Sequence, residues 1–255
     1  MTSDPPLIVT GAGGRIGRLL RHLWSDSCIW LTRSDWDILQ GDPPPLPHGG
    51  VWLDLAGTTR GDVSENPAIA ARVADAAQAL GARLFYMSSA SVYPGGESDM
   101  VETQTCQPLS PYGQSKLAAE ARVGNATILR LGNLAGADAL LGSDRPHTTL
   151  DPVPGQAGGP VRSYIGPHVL AKVVRQLCSN RDRLPRVINI AQPGPVTMGG
   201  LLDEAGRSWS FGPKKDGVLA RVVLSTDRLC QFADVPPTNA MDLVADLNRL
   251  GGWPT

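Results

Sequence analysis

A glycine-rich turn close to the N-terminus constrains the fold of this chain more than any other sequence feature. The apolar run Leu7-Ile8-Val9 leads directly into Thr10-Gly11-Ala12-Gly13-Gly14-Arg15-Ile16-Gly17, after which leucines recur at helical spacing. A strand, a glycine turn and a helix in this order present backbone N–H groups and the positive end of a helix to a pyrophosphate. We therefore predict a dinucleotide site; the alternative is a tight turn without a ligand. The predicted contacts are Thr10, Gly11, Gly13, Gly14, Arg15, Ile16 and Gly17.

Strand and helix patterns alternate over the first 136 residues. Strands are predicted at 28–32, 51–55, 84–87 and 127–131, and helices at 67–80 and 112–123. The proline-rich segment 40–47 cannot form a helix interior, so a loop or a vestigial turn should join the second and third strands. This alternation is typical of the α/β class. We expect a Rossmann-type doubly wound parallel sheet over residues 1–136, the dinucleotide-binding core.

The pattern is looser over residues 137–255. Helices are predicted at 169–178, 198–205 and 241–250, and a strand at 187–190. Residues 142–160 contain four prolines and four glycines, which favours a surface loop. We expect this region to form a small C-terminal substrate-binding cap that returns in part to the core sheet.

Composition and charge exclude several classes of partner. The chain has 255 residues and a formal net charge of −1, so nothing predicts a general attraction to nucleic acid or to an anionic membrane. Its four cysteines are scattered without the spacing of metal ligands, so we expect no metal site and a reducing compartment. Signal-peptide and membrane-span patterns are not apparent, and we expect a cytoplasmic protein.

Tyr112 and Lys116 are four residues apart, which places them on one face of a predicted helix. A tyrosine of ordinary pKa, about 10, is a poor base at neutral pH, and a nearby ammonium group can lower that pKa by ~1–3 units. Ser89, at the end of a predicted strand, could hold a hydroxyl or carbonyl oxygen of a substrate. These three residues are the candidate catalytic set; the alternative is a surface tyrosine and lysine on an amphipathic helix.

Three segments resemble the extended short-chain dehydrogenase/reductases, which include nucleotide-sugar epimerases, dehydratases and reductases. They are the glycine turn, Ser88-Ser89-Ala90-Ser91-Val92-Tyr93-Pro94 and Tyr112-Gly113-Gln114-Ser115-Lys116. The resemblance implies that Tyr112 is the general acid/base, that Lys116 lowers its pKa and binds the nicotinamide ribose, and that Ser89 orients the reacting oxygen. It also implies cofactor contacts from Leu55, Ala56, Gly57, Tyr112 and Asn133. Asn133 lies in a segment, Leu129 to Gly136, that faces the nicotinamide and the substrate.

The chain also departs from the family pattern. Dehydratases of this family carry an Asp-Glu pair where this chain has Ala90 and Ser91, so dehydration is not expected. A family position that holds an epimerising cysteine is again Ala90. Asn66 matches a structural asparagine of the family across a shortened loop, and His168 is interpreted as a helix-start residue.

The choice of cofactor depends on the end of the second predicted strand. NAD sites often place an acidic residue there, whereas an arginine accommodates the 2′-phosphate of NADP. This chain has Arg33, with Arg15 in the glycine turn, although Asp35 and Asp37 follow. We expect NADP, with NAD as the alternative.

The sequence therefore predicts an NAD(P)-dependent oxidoreductase that reduces a ketone on a nucleotide-activated sugar or a related hydroxylated metabolite. Ser91, Asn133 and Arg162 are the candidate substrate contacts, and the resemblance matches Arg162 to an arginine that binds the substrate diphosphate. The alternatives are a nucleotide-sugar epimerase that retains NAD and a non-catalytic NADP-binding sensor or scaffold. A small molecule is the expected partner, and a homodimer is possible in this family.

Overall fold

The computed structural model describes residues 7–24, 28–59 and 61–254. The helices are α1 (Arg15–Leu23), α2 (Asn66–Ala79), α3 (Pro111–Glu120), α4 (Pro167–Ser179), α5 (Met198–Glu204) and α6 (Ala240–Arg249). The strands are β1 (Leu7–Thr10), β2 (Cys28–Leu31), β3 (Val51–Asp54), β4 (Arg83–Ser89), β5 (Thr127–Leu131), β6 (Asn133–Leu134), β7 (His147–Leu150), β8 (Val161–Arg162), β9 (Tyr164–Ile165), β10 (Val187–Ile190), β11 (Val196–Thr197), β12 (Ser208–Phe211) and β13 (Arg221–Val222).

A six-stranded sheet in the order β10-β5-β4-β3-β1-β2 forms the centre of the molecule. All of its strand pairs are parallel. One face packs apolar side chains against α1 and α4, and the other face packs against α2 and α3. This arrangement confirms the predicted Rossmann-type parallel sheet with helices on both faces.

The connection between β2 and β3 contains neither a helix nor a strand, as its prolines predict. Bonds to α2 hold it in place, because Arg72 donates from Nε to the Ile38 carbonyl at 3.2 Å. Trp36 anchors the same segment in the core beside Trp52, with ring centroids 6.0 Å apart. The loop therefore takes the place of a crossover helix on this edge of the sheet.

The order of the strands reverses at β1. The chain leaves β1 for β2 on one side and then crosses to β3 on the other side. Parallel sheets bind ligands at the carboxyl ends of the strands flanking such a reversal. The glycine turn follows β1 at this point, so the fold places it at the expected crevice.

The C-terminal part consists of short elements around a third apolar cluster that includes Tyr164, Leu201 and Leu243. The predicted strand at 187–190 and helices near 169–178, 198–205 and 241–250 are present. The prediction of a loop over 142–160 is wrong in part, because His147–Leu150 forms β7 and pairs with β12. That pairing joins residues about 60 positions apart, which local composition does not reveal. The role of this part as a substrate-binding cap stays a prediction.

Within the part of the chain that the structure describes, no helix has the length and apolar character needed to cross a membrane.

Candidate active site

The glycine turn lies in direct contact with the residues that follow β3. Gly11 has a φ of +73°, and a Cβ there would lie 2.6 Å from the Ala56 nitrogen. At Gly17 a Cβ would lie 2.5 Å from the Gly11 carbonyl oxygen, so α1 packs on the turn itself. Only glycine permits these approaches. The spacing of the glycines is therefore a packing requirement, and it brings Gly11 beside Leu55 and Ala56.

A cavity of about 490 Å³ opens at the carboxyl ends of β1, β2 and β3. Leu31, Ile38 and Ile69 are among its apolar wall residues. Neither Ile38 nor Ile69 belongs to a recognisable motif, so sequence reasoning missed them. Eight of the predicted cofactor contacts line this cavity: Thr10, Gly11, Gly13, Gly14, Arg33, Leu55, Ala56 and Gly57. The other six predicted cofactor contacts are not part of that lining: Arg15, Ile16, Gly17, Tyr112, Lys116 and Asn133.

The structure does not bring together the two arginines predicted to bind a 2′-phosphate. Arg15 donates to the Ala137 carbonyl at 2.7 Å, which directs it towards the C-terminal part of the chain. Arg33 is 83% exposed and its Nε lies 3.2 Å from an Asp37 carboxylate oxygen. Asp35 accepts bonds from the backbone and side chain of Thr32, which hold the pKa of Asp35 below its usual value. Of these two arginines, Arg33 lines the cavity and Arg15 does not.

Ser89 and Tyr112 meet where β4 ends and α3 begins. Ser110 caps α3 by accepting a bond from the Gly113 nitrogen at 3.0 Å, which fixes the first helical turn. A Cβ on Gly113 would lie 2.1 Å from the Ser91 carbonyl oxygen, so the helix rests directly on the turn after Ser89. Gly113 was missed as a functional residue, because its need for glycine arises only from this contact.

Burial raises the pKa of Tyr112 above its ordinary value, and a side-chain hydrogen bond with Ser89 opposes that rise. The sequence predicts the opposite direction, a pKa lowered by Lys116, and the burial of Tyr112 acts against that prediction. The Lys116 ammonium lies over the Tyr86 ring, 4.2 Å from its centroid. Tyr112 therefore keeps its proton at neutral pH.

Lys116 is only 5% exposed and has Asp54 as a charged neighbour. Burial lowers the pKa of Lys116 to about 8, and the negative charges of Asp54 and Glu120 oppose that fall. Asp54 is fully buried at the end of β3, where burial raises its pKa to about 6. Sequence reasoning missed Asp54, since only the sheet register shows that it lies under the helix that carries Lys116.

Asn66 ties the loop after β3 to α3. Its Oδ1 accepts from the Thr58 nitrogen at 2.8 Å, and its Nδ2 donates to the Thr58 carbonyl and to Ser115 Oγ, each at 3.0 Å. The loop that lines the first cavity is therefore bonded to α3, the helix that carries Tyr112 and Lys116. This supports the structural role predicted for Asn66.

A second cavity, of about 190 Å³, lies beside the Ser89 turn. It brings together the three candidate substrate residues Ser91, Asn133 and Arg162. The Arg162 guanidinium donates to the Val161 and Leu219 carbonyls, both at 2.8 Å, and burial lowers its pKa. The remaining lining residues are Ala90, Tyr93, Leu109, Ser110, Gly132, Ser163, Leu219 and Val222.

His168 is the second residue of α4 and not part of either cavity. Its Nδ1 lies 3.0 Å from Asp246, whose second carboxylate oxygen accepts from the His168 nitrogen at 3.1 Å. The histidine therefore helps to join α4 to α6, in agreement with its interpretation as a helix-start residue.

Comparisons with known proteins support the fold and the motifs. Residues 56–150 match the model of the NAD dependent epimerase/dehydratase family. A search among curated proteins found no relative.

Solved structures with the same fold cover nearly the whole chain. UDP-glucuronic acid 4-epimerase from Bacillus cereus is 17% identical, covering 96% of this chain and 99% of its own, with a TM-score of 0.73. A dTDP-4-dehydrorhamnose reductase from Clostridium acetobutylicum is 18% identical with the same coverages and TM-score. An NAD-dependent NDP-hexosamine 5,6-dehydratase involved in tunicamycin biosynthesis is 13% identical, covers 95% of this chain and 96% of its own, and has a TM-score of 0.76. The resemblance of this chain to the extended short-chain dehydrogenase/reductases is thus confirmed, by the family match over residues 56–150 and by the fold.

Proposed function

We propose that this protein is an NAD(P)-dependent oxidoreductase that reduces a ketone on a nucleotide-activated sugar or a related hydroxylated metabolite. The observation that carries the proposal is the close packing of the start of α3, which carries Tyr112, on the turn that follows Ser89, with Lys116 one helical turn further along α3. The family match and the sugar-nucleotide enzymes that share the fold support an NAD(P)-dependent enzyme that acts on a nucleotide sugar.

The residues present fit a dinucleotide. Gly14 precedes α1 without a side-chain cap, and the first turn carries no acidic residue, so its N–H groups are free for a pyrophosphate. Leu31, Ile38 and Ile69 offer apolar walls for a base. Lys116 donates no hydrogen bond to an acceptor among the described residues, which leaves its ammonium available to a ribose hydroxyl.

A bound reduced nicotinamide supplies the hydride in such a reaction. The tasks of this chain are to hold the ketone and to deliver a proton to its oxygen. Ser89 donates a hydrogen bond to that oxygen, and Tyr112 transfers its hydroxyl proton to it as the negative charge develops. Burial favours the protonated form of Tyr112, which is the form that has a proton to transfer.

The surroundings of Arg162 favour the binding of an anionic substrate. No carboxylate of the described residues lies within 4 Å of its guanidinium, although the group is half-buried. Two of its five donors bind backbone carbonyls and fix its direction, so the others can bind a phosphate oxygen. A diphosphate attached to the sugar would supply such phosphate oxygens.

The choice of cofactor is proposed as NADP, with NAD as the alternative. Arg33 lines the cavity, which favours a 2′-phosphate, but its pairing with Asp37 lowers the charge available for one. Among the solved structures with this fold, the Bacillus cereus epimerase is a complex with NAD, and a dTDP-4-dehydrorhamnose reductase from Bacillus anthracis is a complex with NADP.

The test follows the absorbance of reduced nicotinamide across a panel of keto and hydroxy substrates, including 4-keto nucleotide sugars. We expect NADPH to be consumed one-for-one with the ketone. Interconversion of sugars without added cofactor and without net absorbance change would favour the epimerase that retains NAD. Tight binding of dinucleotide with no turnover on any substrate would favour the sensor or scaffold.

A further inference from the structure

A row of polar side chains lies between the central sheet and α3. Thr10, Asp54 and Tyr86 are neighbours in register on β1, β3 and β4. Paired residues of parallel strands point to the same face, and the residues two positions earlier on each strand pack against α2 and α3. The three polar side chains therefore face the helix that carries Lys116.

Among the described residues, Asp54 has no basic nitrogen within 4 Å of its carboxylate. Its Oδ1 accepts from Thr10 Oγ1 at 2.7 Å and from the Ala56 nitrogen at 2.9 Å. Its Oδ2 is buried and accepts no hydrogen bond from the described residues. A buried carboxylate needs a compensating positive charge if it is to stay ionised.

Lys116 is the matching cation. Its Nζ lies 4.2 Å from the ring centroid of Tyr86, the residue directly opposite Asp54 in the sheet. The ionisable groups that face it are Asp54 from β3, Tyr86 from β4, and Tyr112 and Glu120 from its own helix. Asp54 and Glu120 are the two acids in this set.

Glu120 already has a partner. Its carboxylate accepts from Arg130 at 3.0 and 2.7 Å and from Ser88 Oγ at 2.6 Å, and all three side chains are buried. The charge of Glu120 is thus matched by Arg130, in a bidentate pair. Asp54 and Lys116 are then the acid and the base that have no other charged partner in this row. The charges of the row alternate in sign, in the order Asp54, Lys116, Glu120 and Arg130.

We propose that Asp54 is the counter-ion of Lys116, a positioning residue that keeps the ammonium charged and held between α3 and the central sheet. Burial acts against both charges, since it raises the pKa of Asp54 and lowers that of Lys116. The negative charge of Asp54 raises the pKa of Lys116, and the positive charge of Lys116 lowers the pKa of Asp54. The two groups therefore favour each other's charged form. The inference rests on the proposed function for its purpose, because a charged Lys116 is the form proposed to bind a ribose hydroxyl.

The test is an NMR titration of the protein with its lysine side chains labelled with ¹⁵N at Nζ, without any cofactor. The chain has four lysines, and Lys116→Met assigns the signal of interest. In Asp54→Asn, the hydrogen bonds to Oδ1 are kept and the charge is lost. We expect the pKa of Lys116 to fall by roughly one pH unit below the wild-type value, as removal of a nearby opposite charge requires.

Trp52→Phe is the matched control. It removes the bond from Trp52 Nε1 to Thr10 Oγ1, at 3.3 Å, and disturbs the same buried cluster without changing its charge. The pKa of Lys116 should then stay at the wild-type value. An equal fall in both variants, or no fall in Asp54→Asn, would overturn the proposal.

The wild-type protein gives a second test if Asp54→Asn does not fold. Ionisation of Asp54 should move the Lys116 signal through a second inflection near pH 6. A Lys116 signal that follows one simple titration contradicts the pairing. Cofactor binding is measured separately, by nicotinamide fluorescence, so that the two hypotheses can be distinguished. A protein that shows the paired titration but binds no dinucleotide would overturn only the proposed function.

Discussion

At the scale of single residues, burial favours the protonated form of Tyr112, since it raises the pKa of the phenol. A protonated phenol is the form that can deliver a proton to a ketone oxygen in the proposed reduction.

Tyr112→Phe keeps the ring and removes the transferable proton. We expect turnover to fall by ~10²–10⁴, the usual contribution of a positioned acid or base. Steady-state rates together with dinucleotide titration provide the measurement, and cofactor affinity should change little. Normal turnover in this variant would show that Tyr112 is not the proton donor.

Arg33→Asp tests the choice of cofactor. A charge-assisted hydrogen bond contributes ~1.5–3 kcal/mol, so loss of the arginine should shift relative affinity from NADP towards NAD by about one to two decades. Isothermal titration with both dinucleotides measures this. The matched variant Asp37→Asn releases Arg33 from its ion pair and should strengthen NADP binding. Tighter binding of NAD than of NADP by the wild type would indicate that Asp35 or Asp37 binds the ribose.

At the scale of secondary-structure elements, the sequence predicts the parts that have strong local patterns. The strands at 127–131 and 187–190 have the predicted bounds, and the glycine turn and the Tyr112–Lys116 helix are where their spacing places them. The two-residue strands after Gly132 were not predicted, because each is defined by a distant partner and carries no period of its own. The directions of Arg15 and Asp54 likewise depend on tertiary packing.

Gly113→Ala tests the contact between α3 and the Ser89 turn. The added Cβ would overlap the Ser91 carbonyl oxygen, so the helix must move away. Overpacking of this kind lowers stability by about 1–3 kcal/mol, and we expect a large loss of turnover because Tyr112 moves with the helix. Chemical denaturation and steady-state kinetics measure the two effects. Gly41→Ala is the control, since its Cβ would meet no atom closer than 3.9 Å; equal effects in both variants would contradict the close packing.

At the scale of the whole molecule, the buried acid at the end of β3 should make stability depend on pH. Asp54 binds its proton more tightly in the folded chain, where its pKa is about 6, than in the unfolded chain. Its contribution to the free energy of unfolding is therefore largest at low pH and is lost as pH rises from about 4 to about 6.

Asp54→Asn removes this dependence. The free energy of unfolding of the wild type, relative to the variant, should fall between about pH 4 and pH 6 by up to about 3 kcal/mol. Urea denaturation at several pH values gives the difference directly, and comparison with the variant cancels the effects of other carboxyl groups. A difference that stays constant or rises with pH would show that Asp54 is not desolvated in the folded protein.

The contact of Gly113 with Ser91 has a consequence for how such a protein can diversify. Because not even a methyl group fits between the helix and the turn, Tyr112 and Ser89, the proposed proton donor and oxygen-binding residue, lie on two segments in direct contact. A substitution can disrupt this contact but can hardly adjust it by a small amount. Arg162 and Leu219 lie on later segments of the chain, across a cavity from the Ser89 turn. Changes in those later segments can therefore alter which substrate is bound while the contact between α3 and the Ser89 turn stays the same.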